Sequence, residues 1–213
     1  MSISRKLKSL ISSIPANVTL VAVSKTKSNN DILSAYHAGQ RIFGENKVQE
    51  LEKKHKELPN EIQWHMIGHL QTNKVKHIAP FISLIHSVDS LKLLQEINKR
   101  AKQNNRTIDC LLQVHIAIEN TKFGFRIEDV RKIIEEAKKF KNITIKGLMA
   151  MATFTDESKQ INKEFISIHN LFEKIKTKKI NTLSIGMSSD YQLAINNGSN
   201  MIRLGSAIFG NRN

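Results

Sequence analysis

The sequence predicts an α/β fold, a single-domain TIM-type (β/α)8 barrel with an extra helix ahead of the first strand. Three observations carry that expectation. Eight short apolar segments alternate with polar or amphipathic helical segments along the 213 residues. Strict alternation of this kind implies parallel strands joined by helical crossovers, and eight units suit a closed barrel, with an open doubly wound sheet as the alternative. No linker, repeat or low-complexity stretch divides the chain, so residues 1–213 are expected to form one domain, 1–16 the leading helix and 18–210 the barrel.

The elements follow in order. In "MSISRKLKSLISSI", Ile3, Leu7, Leu10, Ile11 and Ile14 fall on one helical face with lysines opposite. "VTLVAVSK" (18–25) is the first strand and 29–40 a helix ending near Gly39. "RIFGE" (41–45) is the second strand, followed by a helix to about Leu58. The third strand is "EIQWHMIG" (61–68), with a helix over 71–81; the fourth is "SLIHSVD" (83–89), with an amphipathic helix over 90–105. "TIDCLLQVHIA" (107–117) is apolar throughout, as a strand buried on both faces should be. The loop "IENTKFGF" leads to a helix over 127–140, then a sixth strand at 143–151 and a long helix at 159–178. "TLSIGM" (182–187) is the seventh strand, 188–198 a short helix, and "MIRLGSAIFG" (201–210) the eighth strand.

Composition excludes several classes. No apolar run reaches the length of a membrane span, so no membrane role is expected. The N-terminal segment is basic and serine-rich, as transit peptides are, but lacks the continuous apolar core of a signal peptide and reads better as a helix. The one cysteine, Cys110, sits in an apolar strand, which suits a reducing, cytoplasmic setting. The net charge of +14 invites a nucleic-acid reading. The lysines are spread over nearly every helix, however, with no aromatic-interleaved basic stripe, and those of "EKKHKEL" and "EEAKKFK" read as solvated faces. His65 and His69 lie four apart on a strand end and loop, without the carboxylate that a zinc site would add. His86 and His115 read as satisfied core or mouth residues.

Barrel sites lie at the C-terminal ends of the strands. The seventh end, "SIGMSSD", places a glycine turn and Ser188 and Ser189 at a helix start, where free backbone N–H groups attract an anion. The eighth, "RLGS", adds Gly205 for close backbone approach and Ser206 as a donor. Together these predict a phosphate pocket. Arg203 shares the inward parity of Gly205 and needs a partner, either a ligand nitrogen or a carboxylate such as Glu45. Lys25 shares parity with Val21 and Val23 and so faces the mouth, whereas Lys27 lies beyond the strand as a flanking cation. A partly desolvated lysine beside other cations has a lowered pKa and can attack an aldehyde. Phosphate pocket, inward lysine and inward arginine together suggest pyridoxal 5′-phosphate (PLP), tethered as a Schiff base.

The segments "VAVSKTK", "FGENKVQE", "WHMIGHLQTNK", "GLMAM" and "LSIGMSSDYQLAI…GSNMIRLGSAIFG" closely resemble the PLP homeostasis proteins, single-domain relatives of the N-terminal barrel of alanine racemase. The resemblance runs from about residue 18 to 210. It implies that Lys25 carries PLP, that Ser188, Gly205 and Ser206 hold the phosphate, and that Arg203 faces the pyridine nitrogen. It further implies that Asn46, His65 and Met149 line the ring pocket. Ser28 replaces a common proline and Phe123 a usually small loop residue, neither at the proposed site.

An arginine at the pyridine nitrogen leaves it unprotonated and the ring a weak electron sink, which argues against a transaminase. Two-base racemisation needs a second base, which racemases of this type take as a tyrosine from an additional domain. The only tyrosines here, Tyr36 and Tyr191, fall in predicted helices. The expectation is a non-catalytic PLP-binding protein that buffers, carries or donates the cofactor, as the resemblance also implies. The alternative is a low-activity racemase-like enzyme on amino acids. Apo PLP-dependent enzymes are the expected partners, and a monomer the expected state.

Overall fold

A computed structural model describes residues 2–119 and 123–210, so three residues of the "IENTKFGF" loop lie outside the described set. The order is α1 (Ile3–Ser13), β1 (Thr19–Val23), α2 (Asn29–His37), β2 (Ile42–Glu45), α3 (Val48–Glu57), β3 (Gln63–Met66), α4 (Val75–Ile78), β4 (Leu84–Val88) and α5 (Leu91–Gln103). Then follow β5 (Ile108–His115), α6 (Val130–Ala137), β6 (Ile143–Met151), α7 (Ser158–Ile175), β7 (Thr182–Ser184), α8 (Tyr191–Asn196), β8 (Met201–Leu204) and α9 (Ser206–Phe209). The eight strands form a closed parallel barrel in chain order, with β8 returning to pair with β1 through Val21 and Arg203.

Alternating strand residues sort into two layers. Val21, Leu84, Leu111, Met149 and Met201 pack together inside the barrel. Leu20, Ala22, Phe43, Trp64, Met66 and Ile85 face outward into the larger core beneath the helices. This is the period-two pattern of a strand buried on both faces. The leading helix is capped by Ser2, whose Oγ accepts from the Arg5 N–H, and it buries Leu7 and Leu10 while Ile11 stays 46% exposed. Ser28, at the atypical position after the lysine motif, starts α2 with a capping box to Asp31.

The seventh strand, expected over 182–187, ends at Ser184, and the helix expected over 127–140 opens as a 3-10 turn (Ile127–Asp129) before α6. Three further elements differ from the expectation. The helix expected over 71–81 is a 3-10 turn (Thr72–Lys74) followed by the single turn of α4. Pro80 explains the early end, because a proline ring clashes with the preceding helical turn. The helix expected from Ser188 begins only at Tyr191, after a turn over residues 187–190. The eighth strand stops at Leu204 instead of running to 210, and residues 206–209 form α9. Its ladder with β1 ends at Ala22–Leu204, and Gly205 passes beside Val23 without extending it before the chain turns into α9. Among the described residues no helix is long and apolar enough to cross a membrane.

Candidate functional site

A cavity of about 570 Å³ opens among the C-terminal strand ends. It is lined by Lys25 after β1, Asn46 after β2, Ser188 and Ser189 after β7, and Arg203, Gly205 and Ser206 at and after the end of β8. Val23, Lys27, Ile67, Met151 and Phe154 complete much of its wall. The structure thus brings seven of the nine sequence-predicted site residues to one space. His65 and Met149 do not line it. Met149 is fully buried with Val21 and Leu111 inside the barrel, and His65 turns toward His86.

Lys25 is the second residue of a tight turn closed by the Lys27 N–H donating to the Ser24 carbonyl at 3.0 Å. Thr26, the third residue, has φ +64°. That region suits glycine or asparagine and is uncommon for a β-branched residue. Behind the turn lies a buried ionic cluster. Lys54 donates to Glu45 Oε1 (2.8 Å), Glu50 Oε1 (2.7 Å) and the Ser24 carbonyl (2.8 Å). Ser24 Oγ donates to Glu45 Oε1 at 2.6 Å, and the Thr26 N–H to Glu50 Oε1 at 2.6 Å. Burial raises the Glu45 carboxyl above its ordinary range, against the pull of Lys54.

This cluster corrects two expectations. Lys54 is not a solvated helix lysine, since it is 4% exposed. It lies three residues after Leu51 and six after Val48, the buried face of α3. That spacing was the available signal, masked by the neighbouring charges. Glu45 is not the partner of Arg203. It shares outward parity with Phe43, while Gly44 faces inward against Val21.

Arg203 crosses the barrel interior instead. Nη1 donates to the Ser184 carbonyl and to Ser184 Oγ, both at 2.7 Å, and Nη2 donates to the Ala150 carbonyl at 3.0 Å. A guanidinium has five N–H donors, so two remain on a side chain that lines the cavity. Burial lowers its pKa to about 10, opposed by nearby Asp190, and it stays cationic at neutral pH. Ser184 Oγ lies 3.2 Å from His86 Nδ1, and His86 Nε2 lies 3.0 Å from His65 Nδ1. Arginine can only donate, so the serine proton is satisfied by turning to His86 Nδ1. His86 then donates from Nε2 to His65. This hydrogen-bond assignment makes both rings neutral Nε2–H tautomers. Ser184 was not picked out from the sequence, because a serine inside an apolar strand carries no signal of its partner.

The histidines give a pH prediction. Burial lowers His65 from an ordinary 6.5 to about 3, and lowers His86 well below 6.5. Between these values the unfolded chain binds more protons, so stability falls as pH drops through that window. Glu45, with a raised folded value, contributes in the opposite sense above 4.5. Urea melts at pH 7 and pH 5 should show a loss of about 1.4 kcal/mol per pH unit per histidine below pH 6.5. His65→Asn should remove about half of that slope; an unchanged slope would mean that the buried rings are not its source.

The opposite wall can hold an anion. Ser188 Oγ accepts from the N–H groups of Gly205 (3.2 Å) and Ala207 (3.4 Å), so the serine now caps the start of α9. Among the described residues, the backbone N–H groups of Ser188, Ser189 and Ser206 have no protein acceptor, and all three residues line the cavity. Gly186 (φ +97°) sets the turn that holds them, because a Cβ there would stand 2.6 Å from the Ala194 Cβ. A Cβ on Gly205 would meet Val23 only at ordinary contact distance, so the protein's own packing does not demand glycine there.

Elsewhere, His69 meets Asp89 at 3.1 Å and stacks on Phe123 at 4.0 Å, away from His65 and outside the cavity wall. His115 Nε2 bonds the Glu119 carbonyl. Tyr36 sits under Arg41 at the start of β2, and Tyr191 packs into the core; neither lines the cavity. A larger groove of about 730 Å³ lies along the start of β6, between α6 and α7, and holds none of the strand-end residues.

Residues 2–213 match the family model described as the alanine racemase N-terminal domain. The chain is 42% identical over 195 residues to a pyridoxal phosphate homeostasis protein of Helicobacter pylori, covering 90% of this chain and 87% of that protein. It superposes on PipY of Synechococcus elongatus without PLP with a TM-score of 0.93 at 34% identity, covering 98% of this chain and 100% of the other. The same protein with PLP bound gives a TM-score of 0.88 at 34% identity and the same coverage.

Proposed function

The chain belongs to the alanine racemase N-terminal domain family and, within it, to the pyridoxal phosphate homeostasis proteins, and from that premise we propose that it holds PLP at the barrel mouth and supplies it to other proteins. The observation that carries this reading is the single cavity joining Lys25, Arg203 and the unpaired N–H groups of Ser188, Ser189 and Ser206. The donor set fits the cofactor. Amide and hydroxyl donors suit the phosphate, the bare Gly205 leaves it room, Lys25 supplies an amine for the aldehyde, and Arg203 offers donors to the pyridine nitrogen. Ser188 Oγ, which now accepts from Gly205 and Ala207, would yield those two N–H groups to phosphate oxygens.

PLP when bound supplies an electrophilic carbon and a conjugated ring that withdraws electrons. Arg203, cationic and donor-only, keeps a proton off the ring nitrogen and weakens that withdrawal. No tyrosine lines the cavity to work as a second base. These features support storage and delivery over turnover, and Asn46 lines the same cavity as Lys25. His65 acts one layer away, through His86 and Ser184 on Arg203. The recipients we propose are apo PLP-dependent enzymes, in the cytoplasm, with the carrier a monomer.

The test has two arms. Protein loaded with PLP and freed of excess cofactor should restore activity to an apo-transaminase. In heavy water it should introduce no deuterium at Cα of L- or D-amino acids over hours. Rapid Cα exchange would instead establish a racemase-like enzyme, and failure to reactivate any acceptor would remove delivery.

A further inference from the structure

This inference rests on the reading of the mouth as the PLP site and concerns what places Lys25 there. The turn Ser24–Lys27 carries two lysines that both line the cavity. Its third position holds threonine at φ +64°, so its own sequence does not favour the shape it takes. The shape is held from outside. On one side of Lys25, the Ser24 carbonyl accepts from Lys54 at 2.8 Å. On the other, the Thr26 N–H donates to Glu50 at 2.6 Å. Lys54 also bonds both Glu50 and Glu45, and Glu45 takes the Ser24 hydroxyl. All of this lies on the outer face of the barrel wall, and none of Glu45, Glu50 and Lys54 lines the cavity.

Stability is a poor explanation for the cluster. Buried ion pairs stabilise little over apolar packing, and this one leaves Glu45 Oε2 buried without a donor. What apolar side chains could not do is grip the two backbone polar atoms that flank Lys25.

We propose that Glu45, Glu50 and Lys54 are positioning residues that clamp the strained Ser24–Lys27 turn so that Lys25, in preference to Lys27, meets the cofactor aldehyde. In the step they serve, the neutral Lys25 nitrogen bonds to the aldehyde carbon. The carbonyl oxygen leaves as water with the two amine protons.

Two probes separate the clamp from the pocket. PLP reports covalent capture. 4-Deoxypyridoxine 5′-phosphate, with a methyl in place of the aldehyde, reports the pocket alone. In Lys54→Met, capture should slow about tenfold or more and the borohydride-fixed adduct should spread to Lys27, while affinity for the deoxy probe changes less than about twofold. Lys54→Arg should retain much of the wild-type rate. Adding Thr26→Asn to Lys54→Met should restore capture, because asparagine accepts positive φ at little cost. If Lys54→Met does not fold, Glu50→Gln is measured the same way, with slowed capture expected. Wild-type rate and site in the folded clamp variant overturn the proposal. So does an equal loss for both probes, which would make the cluster merely structural, and so does absence of rescue by Thr26→Asn. A wild-type protein with no adduct on Lys25 fails differently, since it removes the cofactor reading underneath.

Discussion

Lys25→Ala protein mixed with PLP and desalted will not be yellow, and after borohydride reduction it will carry no covalent adduct. Wild type will carry one adduct, placed on Lys25 by peptide mapping. The reason is geometric before it is chemical. Lys25 follows the inward-facing Val23 at the end of β1 and lines the same cavity as Arg203 and the free N–H groups of the opposite wall. Phosphate and ring contacts survive the substitution, so the variant should still bind PLP reversibly. Loss of the covalent bond should weaken retention at least about a hundredfold, roughly 2.7 kcal/mol. In Lys27→Ala the adduct should stay on Lys25. An adduct that persists in Lys25→Ala and disappears in Lys27→Ala would reverse the assignment of tether and flanking cation.

Gly186→Ala should damage stability and phosphate binding together. The residue sits at φ +97°, where an L side chain is strained, and its Cβ would stand 2.6 Å from the Ala194 Cβ and 3.1 Å from the Tyr191 Cα. Relief requires moving α8 away from β7, and with it the turn bearing Ser188 and Ser189. A loss of about 3 kcal/mol is expected from strain and overpacking combined. In a domain of this size that lowers Tm by roughly 6–12 °C. Affinity for 4-deoxypyridoxine 5′-phosphate should fall about tenfold or more, as backbone donors leave register. Gly205→Ala is the contrast. It should keep most of the stability, because its Cβ meets only Val23 at ordinary distance, but lose affinity for the same probe. Calorimetry and a binding titration on the two variants separate the roles; equal stability losses would contradict the distinction.

Much of the barrel was legible in the chain because each strand advertises itself locally. Val21 and Val23, or Arg203 and Gly205, share a face by the two-residue period of any strand, whatever they pack against. Helix caps are equally local, as Ser28 with Asp31 shows. Element ends were less legible. The apolar run "SAIF" reads as more strand, yet it is helical, the ladder with β1 having ended at Ala22–Leu204. That is a fact about a neighbour some 180 residues away.

The same division holds at the site. Sequence by itself determined that a lysine, an arginine and two serine–glycine strand ends would face one mouth, since parity and turn chemistry are properties of short segments. Only the tertiary structure decided their partners. It placed Glu45 on the outer face with Lys54 instead of against Arg203, and joined Arg203 through Ser184 and His86 to His65. It also buried Lys54, a residue that looks solvated among its charged neighbours, beneath the turn that carries Lys25. Direction along a strand is written in the chain, but a buried charge is tolerable only where other elements bring it a counter-charge and hydrogen bonds, and those elements meet only when the barrel closes.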